Sequence, residues 1–302
     1  MNEAARPLID RRALSVAISR AAAASVAEVL AAPPASPTGA CMIGITGAPG
    51  AGKSTLIGRL VSRRRRGEKH IAVLAIDPSS PKSGGSVLGD RIRMDAISDD
   101  PRVYIRSLPS LGAHDGLSDN IAEVLATLDG YGFDEVLIET VGVGQTELGI
   151  RALVELEVLV LMPGAGDQIQ AMKAGIIETA DVLVVNKADL PGAERLETEL
   201  LGVLQHGAKA PPVIRVSAGS DDGINQLSDA LDRLLQDLPR GAQTSSARQR
   251  YRVQSLIQRR VQEILDAVPE QEWHRSVPDL YKYVVHNLAG ELEAETSMQE
   301  RE

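Results

Sequence analysis

The run Gly47-Ala48-Pro49-Gly50-Ala51-Gly52-Lys53-Ser54 constrains this chain more than any other feature. It fits the phosphate-loop pattern G-x-x-x-x-G-K-[ST]. Met42-Ile43-Gly44-Ile45-Thr46 before it reads as a short buried strand. Thr55-Leu56-Ile57-Gly58-Arg59-Leu60-Val61 after it reads as a helix. That order suits the chemistry of phosphate binding. Glycines let successive backbone N–H groups face one concavity, and the helix N-terminus adds partial positive charge. Residues Gly47 to Thr55 are the expected phosphate cradle. Lys53 is expected to reach the outer phosphates, and the Ser54 hydroxyl to ligate magnesium. A nucleoside triphosphate is the implied substrate.

A parallel α/β sheet is the expected frame around this loop. Near-continuous apolar runs at Met42–Thr46, Ile71–Ile76, Val103–Arg106, Glu135–Glu139, Val158–Leu161, Val182–Val185 and Val213–Val216 read as strands covered on both faces. Helical spacing lies between them near Asn120–Leu128, Gln168–Thr179, Glu194–Leu204 and Ile224–Leu238. The prediction is a three-layer P-loop NTPase domain over residues 39–240 with a mostly parallel sheet. An N-terminal helical segment, 1–38, precedes it, with one helix from Leu8 to Leu30. A polar break at Gly241–Ser246 leads to a helical extension, 241–302, with helices at Arg248–Ala267 and Asp279–Glu295. The acidic run from Glu291 is expected to fray.

Bulk properties exclude several classes. The chain has 302 residues and a net charge of −9, so nucleic acid is not the expected main partner. Arg63-Arg64-Arg65-Arg66 is the local exception and reads as a solvated helix C-terminus. One cysteine, Cys41, precludes an intramolecular disulfide and reads as a core residue in a reducing compartment. No apolar run approaches the ~18 residues of a membrane span, and no secretory pattern opens the chain. A cytoplasmic location without membrane contact is expected.

Asn186-Lys187-Ala188-Asp189, directly after an apolar strand, selects the base. The Asp189 carboxylate can accept from both the ring N–H and the exocyclic amino group of guanine. Adenine offers neither donor there and would leave a covered carboxylate unpaired, a strong discrimination. The Lys187 stem can lie along the base plane. Ser217-Ala218, after the next strand, stands where a backbone N–H can meet the guanine O6.

Acidic residues form a second group. Glu139 ends a strand in Glu139-Thr140-Val141-Gly142, and it can hold magnesium through water or orient the attacking water. The role of nearby Gln145 stays open. Asp77-Pro78 ends another strand and leaves Asp77 at the nucleotide edge. A long loop with Ser83-Gly84-Gly85-Ser86 and Gly89-Asp90-Arg91 follows. Ser54, Asp77, Asp90 and Glu139 are magnesium candidates, but magnesium takes few direct protein ligands, so they cannot all bind it directly. Pro163-Gly164-Ala165-Gly166-Asp167 precedes a helix whose Lys173 can swing toward the phosphates or remain an exposed helix lysine.

Taken together, these strings resemble the MeaB-type GTPases, also named ArgK. The likeness rests on Asp77-Pro78-Ser79-Ser80, Ser83 to Arg91, Glu139 to Gln145 and Met162 to Asp167, with Arg11-Arg12-Ala13-Leu14 near the start. It runs from about Asp10 to about Asp237. The resemblance implies a magnesium-dependent GTPase that cycles between GTP and GDP. It further implies a chaperone of an adenosylcobalamin-dependent acyl-CoA mutase, gating cofactor loading and the removal of damaged cobalamin. It implies that three segments act as switches: the loop after the second strand, Glu139–Gly142 and Pro163–Asp167. It also implies that Lys173 takes part in hydrolysis, beside the catalytic candidates Lys53 and Glu139 read from the motifs, and that C-terminal helices form a homodimer. Two departures stand out, Leu111-Gly112-Ala113-His114-Asp115-Gly116 and the stretch from Trp273. Two other readings share the fold. A metal-insertion GTPase of the nickel type needs a Cys/His cluster, which one cysteine and five scattered histidines do not supply. A transport-linked kinase needs a protein-acceptor site, which nothing here resembles.

Overall fold

Helix and strand alternate along the chain as the apolar runs predict. The computed structural model describes residues 8–33, 38–67, 69–78, 95–110, 117–140, 145–164, 176–204, 210–238 and 243–299. The order is α1 (Arg11–Ala23), α2 (Val26–Ala31), β1 (Cys41–Thr46), α3 (Lys53–Arg64), β2 (Ile71–Pro78), the short α4 (Asp95–Ser98), β3 (Val103–Ser110), α5 (Ile121–Gly130), β4 (Glu135–Glu139), α6 (Gln145–Leu153), β5 (Leu156–Leu161), the short α7 (Ile176–Thr179), β6 (Val182–Asn186), α8 (Ala193–Leu204), β7 (Val213–Val216), α9 (Ile224–Asp237), α10 (Gln243–Asp266) and α11 (Val277–Gln299). Among the described residues seven strands form one parallel sheet in the order β3-β2-β4-β1-β5-β6-β7. Strand order reverses about β1, which puts a crevice at the carboxyl end of β1, beside the phosphate loop.

Alternation along each strand separates two faces. One carries Ile43, Ile45, Leu137, Val158, Val160, Val182 and Val184, which pack on Leu56, Ile57, Leu60 and Val61 of α3 and on Ile224, Leu227 and Leu231 of α9. The other carries Met42, Val136, Ile138, Leu74 and Ile76 against α1, α5 and α6. A third cluster seats α8 on Leu159, Leu161, Leu183 and Val185. The first face fixes the site. Glu139 lies two residues past Leu137, Asn186 two past Val184 and Asp77 four past Val73, so all three share the α3 face at the carboxyl edge.

Several expectations need correction. Leu8–Leu30 is two helices, because Ser25 and Glu28 form a reciprocal capping box that starts α2 afresh. β3 extends to Ser110 and β2 through Pro78, since the two pair along their whole length. α6 was not expected. The polar break is shorter than Gly241–Ser246, because α10 already begins at Gln243, and α11 is helical as far as Gln299.

The arginine run ends α3 with Arg66 exposed, as expected, but it is not solvated throughout. Arg64 is buried and makes a bidentate ion pair with Glu135 at 2.6 Å for both bonds. It also donates to the Ser228 carbonyl and hydroxyl at 3.0 and 3.1 Å and to Asp232 at 2.8 Å. Arg65 pairs with Asp100 at 2.6 Å, and Arg63 donates to Asn225 at 2.6 Å. Cys41 is half-buried, and burial pushes its thiol pKa up, away from reactive thiolate. α10 is stitched to the body at several points. Arg248 donates to the Leu153 carbonyl at 2.9 Å and pairs with Glu155 at 2.8 Å, and Arg259 reaches the Ala24 carbonyl at 2.6 Å. Among the described residues no helix is long and apolar enough to cross a membrane.

Candidate functional site

Between β1 and α3 the chain turns through backbone angles that side chains resist. Gly47 has φ 141° and Gly52 φ 87°. A Cβ on Gly47 would stand 2.2 Å from the Val160 carbonyl oxygen, and one on Gly52 would stand 2.6 Å from the Asn186 amide nitrogen. The loop is thus wedged between β5 and the residue that ends β6. Gly52 is also the N-cap of α3 and offers no side chain to cap it. The first turn of α3 keeps its N–H dipoles directed at the loop, an arrangement suited to an anion.

Lys53 is buried, and its ammonium folds back on the loop, donating to the Gly47 carbonyl at 2.7 Å and the Ala48 carbonyl at 3.1 Å. These bonds hold the loop round a central positive charge. Ser54 Oγ donates to Glu139 Oε1 at 2.8 Å. Both groups are buried, so a hydroxyl and a carboxylate meet at the root of the loop. Asp77 is buried at the carboxyl end of β2, one strand beyond Glu139. This all-oxygen set of hydroxyl and carboxylates fits a hard divalent cation such as magnesium. Ala48 and Ala51 are buried while Pro49, Gly50 and Thr55 lie at the surface.

The second cluster assembles from β6 and β7. Asn186 ends β6 and donates to the Ala51 carbonyl at 2.7 Å. Lys187 donates to the Gly50 carbonyl at 2.8 Å. The Ala188 N–H donates to the Val216 carbonyl at 3.0 Å, which ties this turn to β7. Ser217 Oγ donates to Asp189 Oδ1 at 2.7 Å. That bond, with backbone donation and the Lys187 charge, holds the Asp189 carboxyl below the usual range. Asp189 itself is solvent-exposed, whereas the discrimination argument expects a covered carboxylate. Ala218 is buried behind it.

The sequence-predicted residues Gly47 to Thr55, Asp77, Glu139, Asn186, Lys187, Asp189, Ser217 and Ala218 therefore gather along one edge of the sheet. Gln145 opens α6, close in sequence to Glu139. Asp90, Lys173, the Ser83–Arg91 loop, Leu111–Gly116, Val141–Gly144 and Ala165–Asp167 lie outside the described residues. Sequence reasoning missed the Ser217 hydroxyl as an Asp189 partner and both contacts from the Asn186-Lys187 pair to the phosphate loop. It also missed Met162, whose sulfur accepts from the Lys187 ammonium at 3.4 Å. The signal for the first was legible, since a serine after a strand invites side-chain bonding.

The profile of the family described as "Methylmalonyl Co-A mutase-associated GTPase MeaB" matches residues 11–272. The chain belongs to the MeaB family. The match reaches past the Asp237 limit expected from the motifs, through α10, and stops before Trp273. A protein of Pyrococcus abyssi named as a GTPase is 41% identical over 218 residues, 70% of this chain and 67% of that one. The mouse mitochondrial methylmalonic aciduria type A homolog is 38% identical over 218 residues, 68% of this chain and 52% of that one. The chain thus spans between about half and two thirds of the length of these relatives. Among solved structures, the LAO/AO transport system kinase is similar over 94% of this chain and 100% of that one, with a TM-score of 0.58 and 22% identity. HypB from Helicobacter pylori in complex with nickel covers 68% of this chain and 91% of its own, with a TM-score of 0.50 and 16% identity. At these identities both likenesses show the P-loop fold alone. Among the described residues of the MeaB-family chain, no group of three or more His, Cys, Asp or Glu side chains could hold a metal.

Proposed function

We propose that this MeaB-family protein is a magnesium-dependent GTPase chaperone that hydrolyses GTP to GDP and phosphate. Its partner is an adenosylcobalamin-dependent acyl-CoA mutase, methylmalonyl-CoA mutase or a relative. Nucleotide turnover gates cofactor loading, protection, and removal of damaged cobalamin.

The observation that carries this reading is the meeting of two clusters across one loop. Asn186 and Lys187 bond to carbonyls of the phosphate loop itself. A base held by Asp189 and a phosphate chain held by Gly47–Thr55 are thereby set at a fixed distance, as one nucleotide requires. In the bound state the Lys53 ammonium turns from loop carbonyls to the outer phosphates and stabilises charge as it develops in the transition state. Asp189 accepts two donors from guanine while Ser217 keeps the carboxylate ionised. Ser54 and Glu139 would hold magnesium, which neutralises phosphate charge. The Ser54–Glu139 bond favours a metal-holding role for Glu139 over one orienting water. Asp77 and Asp90 complete the proposed outer shell, and Lys173 is the proposed third catalytic group.

The mutase partner rests on the family to which the chain belongs. A homodimer through the C-terminal helices is supported by Val277, Tyr281 and Val285, exposed at four-residue spacing on α11. We place the nucleotide domain at 39–240, with 1–38 and 241–302 as helical additions, and the protein in the cytoplasm.

The test is GTP turnover by the full chain, alone and with each candidate mutase. Slow intrinsic hydrolysis that rises on adding one adenosylcobalamin mutase, together with co-purification of the two, supports the proposal. Turnover unchanged by every such mutase, with no complex by gel filtration, rejects the chaperone role.

A further inference from the structure

Lys187 has φ 55°, a left-handed backbone that an L-residue with a long side chain rarely adopts. Such a conformation is strained and persists where neighbours fix it. Two neighbours fix the side chain. The ammonium donates to the Gly50 carbonyl at 2.8 Å and to the Met162 sulfur at 3.4 Å. The carbonyl belongs to the phosphate loop, and the sulfur belongs to the residue directly after β5. Met162 itself is half-buried and packs against the core cluster under α3 and α9. The Lys187 stem is therefore a rod fixed at both ends. Its backbone is tied at β6, and its ammonium is seated between two separate elements.

The chemistry of the second seat is specific. A thioether is a weak, uncharged and polarisable acceptor. It accepts from the ammonium without forming an ion pair that would pull the stem from the Gly50 carbonyl. A carboxylate at this place would do so. A leucine would fill the space and turn a donor toward apolar carbon. The flat methylene face of the stem is the part available to an aromatic ring.

We infer that Met162 is a positioning residue for base recognition: its sulfur, with the Gly50 carbonyl, holds the Lys187 stem as the surface on which guanine stacks. This rests on the guanine reading proposed above. Met162 immediately precedes Pro163-Gly164, so the same contact roots the third glycine-bearing segment at the base pocket. Gly192, in the loop after Asp189, faces Pro163 with a Cβ position 3.7 Å from the Pro163 Cβ.

The experiment is a fluorescence titration of the full chain with a labelled GDP, using wild type, Met162→Leu, Lys187→Ala and the double variant. Met162→Leu keeps volume and core packing, and its melting temperature reports that the fold is retained. Met162→Leu should weaken GDP binding about fivefold. Inosine diphosphate, which lacks the 2-amino group, should weaken by the same factor, because the stem touches the ring face and not its edge. In the Lys187→Ala background the Met162→Leu change should have no further effect, the non-additivity expected of contacting residues. Wild-type affinity in Met162→Leu overturns the inference, as does an equal loss with or without Lys187. Failure of the wild-type protein to bind GDP overturns the guanine reading as well, which separates the two failures.

Discussion

α3 and β4 meet at both of their ends, and the two meetings differ in kind. At the amino edge of the sheet, Arg64 closes α3 onto Glu135, the first residue of β4, through two 2.6 Å bonds. Ser228 and Asp232 of α9 take the remaining donors. At the carboxyl edge, Ser54 of α3 meets Glu139, the last residue of β4, through one hydroxyl bond of 2.8 Å. Beside it the Lys53 ammonium donates to the Gly47 and Ala48 carbonyls, which are neutral acceptors. A bidentate ion pair with saturated donors is a static clamp. A hydroxyl–carboxylate contact and an ammonium on carbonyls can be exchanged for a cation and a phosphate. The same helix and strand thus carry a fixed end and a replaceable end, and the second is the proposed nucleotide site.

Breaking the fixed end should have the largest effect on stability. Arg64→Ala leaves Glu135 buried with, among the described residues, Lys69 as its charged partner, and urea unfolding should show a loss of about 3–5 kcal/mol. Replacing Arg64 by Met together with Glu135→Gln should cost much less, because no buried charge is stranded. Breaking the replaceable end should spare the fold and remove the chemistry. Lys53→Ala should lower GTP turnover at least ~10²-fold while the unfolding midpoint stays close to wild type. Glu139→Gln retains an acceptor for Ser54 but removes charge, so the magnesium concentration for half-maximal turnover should rise ~10-fold.

The smallest expected effect is at the periphery of the fixed end. Hydrogen bonds from Arg102 and Arg65 hold the Asp100 carboxyl far below the usual carboxylate range, against the opposing effect of burial. Its folded pKa lies below the unfolded value of about 3.9, so its contribution is present above that pH and lost as pH falls below it. Asp100→Asn should therefore lower stability at neutral pH by about 1 kcal/mol and flatten the acid limb of a stability–pH curve below about pH 4.

The replaceable end was more legible in the sequence than the fixed one. Phosphate and base recognition demand particular residues at adjacent positions, so Gly47–Ser54 and Asn186–Asp189 announce themselves locally. β1, β4, β5 and β6 were legible because a strand covered on both faces reads as an apolar run. The clamp was hidden inside a charge run. Its signal was nonetheless present, since Ile57, Leu60, Val61 and Arg64 fall at i, i+3, i+4 and i+7 on the buried stripe of α3. The break before α2 was likewise written in Ser25 and Glu28. What could not be read were contacts made by topology. The extension of β3 to Ser110 depends on pairing with β2, and the Met162–Lys187 contact depends on β5 and β6 lying side by side. Neither leaves a trace in local spacing.

The central claim is that the carboxyl edge reads guanine through Asp189. The most direct measurement is binding of GDP, xanthosine diphosphate and ADP to wild type and Asp189→Asn. Xanthine carries an oxygen where guanine carries the 2-amino group, so an asparagine amide can donate where the carboxylate accepted. Wild type should prefer GDP over both others by ~10²-fold or more, and Asp189→Asn should prefer xanthosine diphosphate. Equal binding of ADP and GDP by the wild-type protein, or an Asp189→Asn variant that keeps its preference for GDP, would contradict it.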